Sequence, residues 1–88
     1  MKKYISKTFK FDWSNDTYAL TDKDVRVYSV LATVMFAIYG DHTYIDELHV
    51  DISYNGRFIF KLPDNQIAEI EAEARKRADS LTWAGDFH

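Results

Sequence analysis

An Asn-Gly dipeptide, Asn55-Gly56, is the feature that most constrains the fold of this 88-residue chain. It lies between two stretches in which apolar and polar residues alternate, residues 48–54 and 57–62. Asn-Gly between alternating stretches is the strongest short-range signal for a β-hairpin. We therefore predict two antiparallel strands joined at this dipeptide.

Two registers are compatible with this hairpin. A two-residue turn pairs Ile52 with Ile59 and places Phe58 on the face of Ser53. A three-residue loop over residues 54–56, with Gly56 left-handed in a bulge, instead pairs Ile52 with Phe58. We predict the three-residue loop, because a slip by one residue would move half of the apolar set to the polar face. That register gathers six apolar side chains on one face: Leu48, Val50, Ile52, Phe58, Phe60 and Leu62.

A first strand is predicted from about Lys3 to Trp13, because apolar and polar residues alternate from Phe9 to Trp13. Residues 25–39 are rich in β-branched and aromatic side chains, which favour a strand. A helix is the alternative, because Thr21 with Asp24 resembles a capping box. Fifteen extended residues would also span roughly 50 Å, which is long for a chain of this size. We predict a strand that bends at Ser29 or Thr33, since a helix apolar on three sides needs more cover than this chain offers.

A helix is predicted from about Asn65 to Leu81, with Asp64 as its N-cap. Its apolar stripe consists of Ile67, Ile70, Ala74, Ala78 and Leu81. The chain is thus predicted to be a single α+β domain over residues 1–88. Its antiparallel sheet of three to four strands would carry the amphipathic C-terminal helix on one face.

Catalytic and cofactor signatures are missing from the sequence. There is no Cys, and the three glycines are too dispersed for a phosphate-binding loop. His42 and His49 stand among acidic residues at spacings that match no metal-ligand motif. On the strand interpretation, His49 and Asp51 share a solvent-facing side of the hairpin. We expect no enzyme activity, no cofactor and no metal site.

Charge is distributed unevenly, although the net charge is only −3. The first ten residues carry four lysines and no acid, whereas residues 41–51 carry four acids and no Lys or Arg. The acidic segment is a candidate partner-binding surface, and a solubilising surface is the alternative. Its acids are Asp41, Asp46, Glu47 and Asp51.

The basic first strand supports a second hypothesis, single-stranded nucleic-acid binding. Lysines would contact the phosphate backbone, and aromatic rings would stack on bases. The residues concerned are Lys7, Phe9, Lys10, Phe11 and Trp13. The alternative is that the three rings, which share one face, form part of the core.

One helix with an Ala-rich stripe cannot cover both faces of a sheet that contains most of six Tyr, six Phe and two Trp. An exposed apolar face normally marks an interface. We therefore expect a protein partner or a homodimer, and we place Tyr28 and Phe36 on the binding surface. No membrane span is expected, because residues 25–39 are too short and too polar. The missing Cys and the absence of a signal-peptide pattern favour the cytoplasm.

Three stretches carry a resemblance: residues 32–40, residues 49–56 and residues 62–67. In their succession of strand, Asn-Gly hairpin and Glu-rich helix they resemble small uncharacterised proteins of phages and prophages. The resemblance implies a compact, non-enzymatic accessory protein located in the host cytoplasm. Some such proteins inhibit host defence systems, including CRISPR effectors, by stoichiometric binding.

Overall fold

Three strands of equal length form the body of the protein, as seen in a computed structural model that describes residues 2–59 and 61–83. The sheet is antiparallel with the order β1-β2-β3-β4, and one C-terminal helix follows it, so the α+β prediction is confirmed. The strands are β1 (Lys2–Ser14), β2 (Val27–Tyr39), β3 (His42–Tyr54) and β4 (Arg57–Phe58), and the helix is α1 (Asp64–Trp83). A 3-10 turn, Asp22–Asp24, interrupts the connection between β1 and β2.

The middle segment is a strand, as predicted, and β2 occupies the centre of the sheet. The great length of the strands gives an elongated molecule of 51 × 21 × 20 Å. Its radius of gyration is 15.1 Å, against about 12 Å for a compact chain of this length. The long span of residues 25–39 in an extended conformation, which favoured a helix, is accommodated because the whole molecule is elongated.

The irregularity expected at Ser29 or Thr33 lies elsewhere. Met35 pairs with Glu47 and Phe36 pairs with Ile45, so Asp46 is an extra residue in β3. Strict alternation from Leu48 would have turned Asp46 toward the helix and Ile45 away from it. The bulge reverses this phase, and Ile45 joins the core beside Phe36 while Asp46 remains exposed.

The predicted hairpin exists, but the predicted three-residue loop is wrong. Tyr54 pairs with Arg57 across a two-residue turn, and the Ile59 N–H donates to the Ile52 carbonyl at 2.8 Å. Asn55 and Gly56 have φ angles of 52° and 78°, as a type I′ turn requires. Phe58 therefore lies opposite the helix and is 64% exposed. The predicted partner Phe60 lies outside the described residues.

Helix α1 packs on one face of the sheet through the predicted stripe. Ile70, Ala74 and Ala78 are fully buried. Asp64 is not the N-cap: the Ile67 N–H donates to the Pro63 carbonyl at 3.1 Å, so the helix starts one residue earlier than predicted. Small side chains in the stripe let the helix lie close to the rings beneath it.

The core is a single layer between α1 and the sheet. Its β1 members are Phe11 and Trp13, with Phe9 packed at the edge. Its β2 members face the same way and are Tyr28, Val30, Ala32, Val34 and Phe36. Leu48, Val50 and Ile52 complete it from β3.

Candidate interaction surfaces

The face of the sheet opposite α1, called the open face below, has no helix packed on it within residues 2–59 and 61–83. Register places three strands side by side on it. Its β1 side is polar, and its β2 side mixes apolar and hydroxyl side chains. Its central residues are Ser6, Thr8 and Lys10 from β1, Leu31, Thr33 and Met35 from β2, and Glu47, His49 and Asp51 from β3.

The most exposed large apolar and aromatic side chains of the open face lie at its two ends. Phe58 and Val27, at one end, are 64% and 55% exposed. Tyr4, Tyr39 and Tyr44, at the other end, are each about half exposed. The expected aromatic face is therefore divided into two patches, and the middle between them mixes polar side chains with Leu31 and Met35.

A shallow depression of about 410 Å³ marks that middle. Its lining includes Ser6, Thr33, Met35, Glu47 and His49. These side chains bring hydroxyl, thioether, carboxylate and imidazole groups to the same depression. Such a shallow, mixed surface suits contact with another macromolecule better than enclosure of a small ligand, which requires a concave and mostly apolar pocket.

His49 and Asp51 lie on the open face together, as predicted, and His49 Nε2 is 3.1 Å from Asp51 Oδ1. Both side chains are accessible to water, at 72% and 42% of their areas. Such an exposed pair contributes little to stability. Across the described ranges, no group of three His, Cys, Asp or Glu side chains could hold a metal ion.

The four predicted acids are distributed along β3 and the turn before it. Asp41 occupies the two-residue turn between β2 and β3, where Gly40 adopts a φ of 58°. Asp46 is the bulge residue, and Glu47 and Asp51 lie on the open face. These acids were predicted from the sequence. The bulge that sets their directions was not, because no local pattern in residues 42–54 indicates it.

The edge of β3 that faces away from β2 runs beside these acids. Strand β4 pairs only with Ser53 and Tyr54, and the Ile59 N–H extends the contact to Ile52. Within the part of the chain that the structure describes, no strand lies beyond His42–Asp51 on that side. Among those described residues, no strand lies beside the backbone groups of Leu48 and Val50 that point away from β2, because these residues alternate with the ones that bond to β2. We call this strip, with Asp41 and Asp46, the acidic edge.

Two predicted partner-binding residues are not on any surface. Tyr28 is 6% exposed and Phe36 is fully buried, and both lie between the sheet and α1. Their placement on a binding face is wrong, because they occupy the positions of β2 that alternate with the open-face residues Leu31 and Met35.

The rings proposed for nucleic-acid stacking are also unavailable. Phe11 and Trp13 are each 7% exposed, and Phe9 packs beside them in the core. The Arg77 guanidinium lies 4.7 Å from the centre of the Phe11 ring and covers it from the helix side. The core interpretation of this triplet is confirmed. Lys10 lies on the open face, whereas Lys7 lies on the helix side.

A polar cluster that sequence reasoning missed joins the β1–β2 connection to α1. Glu69 accepts hydrogen bonds from Trp13 Nε1 at 3.3 Å and from the Tyr18 hydroxyl at 2.5 Å. The bond to Glu69, together with desolvation and the carboxylate charge, raises the pKa of Tyr18 above its ordinary value of 10.0. Tyr18 and Glu69 are 51 residues apart, so no local pattern indicated the contact.

Comparisons with known proteins place the chain in no family: no protein-family model matches it, and neither curated proteins nor solved structures contain a match. No helix within the described residues is long and apolar enough to cross a lipid bilayer.

Proposed function

We propose that this chain is a non-catalytic protein-interaction module that binds a basic surface of a protein partner through its acidic edge. Its mode of action would be stoichiometric binding, as in a phage-type inhibitor of a host defence complex. The site of action would be the cytoplasm, where such a complex operates. The arrangement of charge and free backbone on β3 is the observation that carries the proposal.

Charge supports a basic partner. Residues 41–51 contain four acids and no Lys or Arg, and Asp41 and Asp46 are both exposed. Complementary charge across an interface accelerates association and excludes partners of like sign. An acidic strip on a protein of net charge −3 would therefore select basic surfaces.

The spacing of the acids favours a protein surface over imitation of nucleic acid. Asp41 and Asp46 are five residues apart, or at most about 17 Å of extended chain. Duplex DNA carries one charge per about 1.7 Å of axis, a far denser array. A few separated Lys or Arg side chains match the acidic edge better than a groove shaped for a phosphate backbone.

The backbone of β3 offers a second element of recognition. Unpaired N–H and C=O groups at a sheet edge can hydrogen-bond to an extended segment of another chain. The Asp46 bulge interrupts such pairing after a few residues, which protects the edge from unlimited strand addition. Short pairing between Leu48 and Val50, combined with charge, would be specific without promoting aggregation.

Affinity capture from bacterial lysate tests the proposal. The wild type is compared with Asp41→Lys/Asp46→Lys and with a matched control, Asp16→Lys/Asp22→Lys, whose two acids are also exposed and lie in the β1–β2 connection. We expect wild type and control to retain the same partner, and capture by the acidic-edge variant to fall at least about 10-fold. Equal capture by all three proteins would rule out the acidic edge.

Stoichiometry separates a binder from an enzyme. Native mass spectrometry of the captured complex should give a fixed molar ratio, and inhibition of the partner's activity should reach its plateau at that ratio. Inhibition that becomes complete with time at far lower amounts of this chain would indicate turnover. That result would contradict the non-catalytic proposal.

A further inference from the structure

We propose that the open face packs against the open face of a second copy of this chain, in a dimer whose two-fold axis runs along β2. This surface is distinct from the acidic edge, and the inference does not depend on the partner proposed above. It rests on the register of the sheet, the distribution of charge across it and its area.

In the central rows of the open face, opposite charges lie on opposite sides of β2. In one row, Lys10 of β1 and Asp51 of β3 flank Leu31 of β2. Two rows further, Ser6 and Glu47 flank Met35. Lys10 thus lies on the β1 side of Leu31, and the two acids of β3 lie on the other side of β2. Asp12, near the end of β1, pairs with Ser29 and would face Ser53 of the second copy.

A two-fold axis along β2 makes this pattern self-complementary. It lays β1 of one copy over β3 of the other and keeps each row in place. Lys10 then faces Asp51 of the second copy, and the reverse contact forms on the other side of the axis. Leu31 faces its own counterpart on the axis, as does Met35.

The other aligned arrangement is disfavoured by the same charges. An axis across the strands lays β3 over β3, so the column containing Glu47 and Asp51 would face itself. Like charges placed opposite each other across an interface cost several-fold in affinity or more. The distribution of charge therefore selects the axis along β2.

The area of the open face is sufficient for a modest dimer. Three strands of 13 residues, at about 3.3 Å per residue and about 4.8 Å between strands, offer roughly 600 Å² on each copy. A standard interface buries about 800 Å² on each partner. Aligned sheets cross at about 30°, which reduces the overlap to the central rows. We expect a dissociation constant in the micromolar range.

The central side chains of β2 suit this contact. Leu31, Thr33 and Met35 are half-buried already, and the two apolar side chains, with Thr33 between them, form a narrow strip between two polar columns. Burial of such a strip supplies the hydrophobic contribution, and the flanking charges fix the register. A flat polar face would supply no such strip.

Sedimentation velocity of the purified chain over about 2–200 µM is the first test, in the range that a small interface implies. We expect the mass to rise with concentration from 10.3 kDa toward twice that value. A mass of one chain throughout overturns the proposal. Species larger than a dimer also overturn it, since they would indicate open pairing at strand edges.

Charge reversal is the second test. Lys10→Asp and Asp51→Lys each place like charges opposite one another, so each variant alone should dimerise at least about 10-fold more weakly. The control variants Lys23→Asp and Glu71→Lys change the same charges outside the open face and should dimerise like the wild type. Circular dichroism verifies that all four variants fold.

Mixing provides the decisive measurement. Chains carrying Lys10→Asp and chains carrying Asp51→Lys complement one another in the proposed geometry, so an equimolar mixture should restore the dimer as a heterodimer. Within one copy, Lys10 and Asp51 are two strands apart, about 10 Å, and water screens them, so intramolecular effects predict no such rescue. A mixture that stays monomeric, or single variants that dimerise like the wild type, would overturn the geometry.

Discussion

The two faces of the sheet are built from the same three strands, yet they have opposite characters. On the face covered by α1, Val34 and Phe36 are fully buried. On the open face, by contrast, the aromatic side chains of Tyr4 and Tyr44 remain about half exposed. A sheet residue becomes part of the core when another layer covers it, so alternation predicts two faces without predicting which one is buried.

Ala37 shows how the open face partly covers itself. It lies on the open face and is only 4% exposed. Its register neighbours are Tyr4 on β1 and Tyr44 on β3, two large side chains flanking a small one. At this end, cross-strand neighbours shield a methyl group without any covering helix.

The largest expected contrast between the faces is at two consecutive residues of β2. Phe36→Ala removes a fully buried ring and should lower the free energy of unfolding by about 3–5 kcal/mol. Met35→Ala, on the open face, should lower it by no more than about 1 kcal/mol. Urea unfolding at a concentration where the chain is monomeric measures both values. Equal losses would show that the two faces contribute alike.

A smaller contrast tests the register of the hairpin. Ile59 packs against the core and Phe58 is 64% exposed on the other face. Ile59→Ala should cost about 1–2 kcal/mol, less than for a fully buried Ile, and Phe58→Ala should cost less than about 0.5 kcal/mol. The same unfolding experiment decides. A larger loss for Phe58→Ala would indicate the three-residue loop that places Phe58 in the core.

The smallest expected effect concerns the contact that joins the β1–β2 connection to the covered side. Because the folded-state pKa of Tyr18 is raised above 10.0, its hydrogen bond to Glu69 stabilises the fold below that pH and is lost as pH rises through the raised pKa. The melting temperature of the wild type should therefore fall between pH 8 and 11, as the pH passes the ordinary pKa of tyrosine. Tyr18→Phe should have a lower melting temperature than the wild type at pH 8, and its melting temperature should fall less between pH 8 and 11.

Tyr44→Phe is the matched control, because it makes the same chemical change on the open face. The melting temperature of Tyr44→Phe should change between pH 8 and 11 as that of the wild type does. If Tyr18→Phe also retained the wild-type profile, the bond between Tyr18 and Glu69 would contribute nothing to stability.

Prediction from sequence succeeded where the signal is local. The alternation of residues 9–13 indicated β1, and the stripe of Ile70, Ala74 and Ala78 indicated the buried side of α1. The predicted hairpin register is wrong because it gave more weight to the burial of all six apolar side chains than to the preference of Asn55-Gly56 for a two-residue turn. Local turn geometry prevailed, and Phe58 was left exposed.

The candidate surfaces were predicted in part. Asp41 and Asp46 are exposed, as their charge required, and His49 and Asp51 share one face. Tyr28 and Phe36 were assigned to the wrong side, because both faces of β2 are apolar and composition cannot distinguish them. The bulge at Asp46 and the contact between Tyr18 and Glu69 depend on residues far apart in the chain.

By itself, the sequence determined the kinds of element and their order, because side-chain periodicity, turn residues and helix stripes act over a few residues. Only the tertiary structure decided which face α1 covers, where β3 shifts its phase and how short a stretch of β3 pairs with β4. Those outcomes depend on how a 20-residue helix, about 30 Å long, fits against three 13-residue strands that are each about 43 Å long. The rings of Phe11, Trp13 and Phe36 went under the helix, while Lys10, Leu31 and Asp51 stayed on the open face.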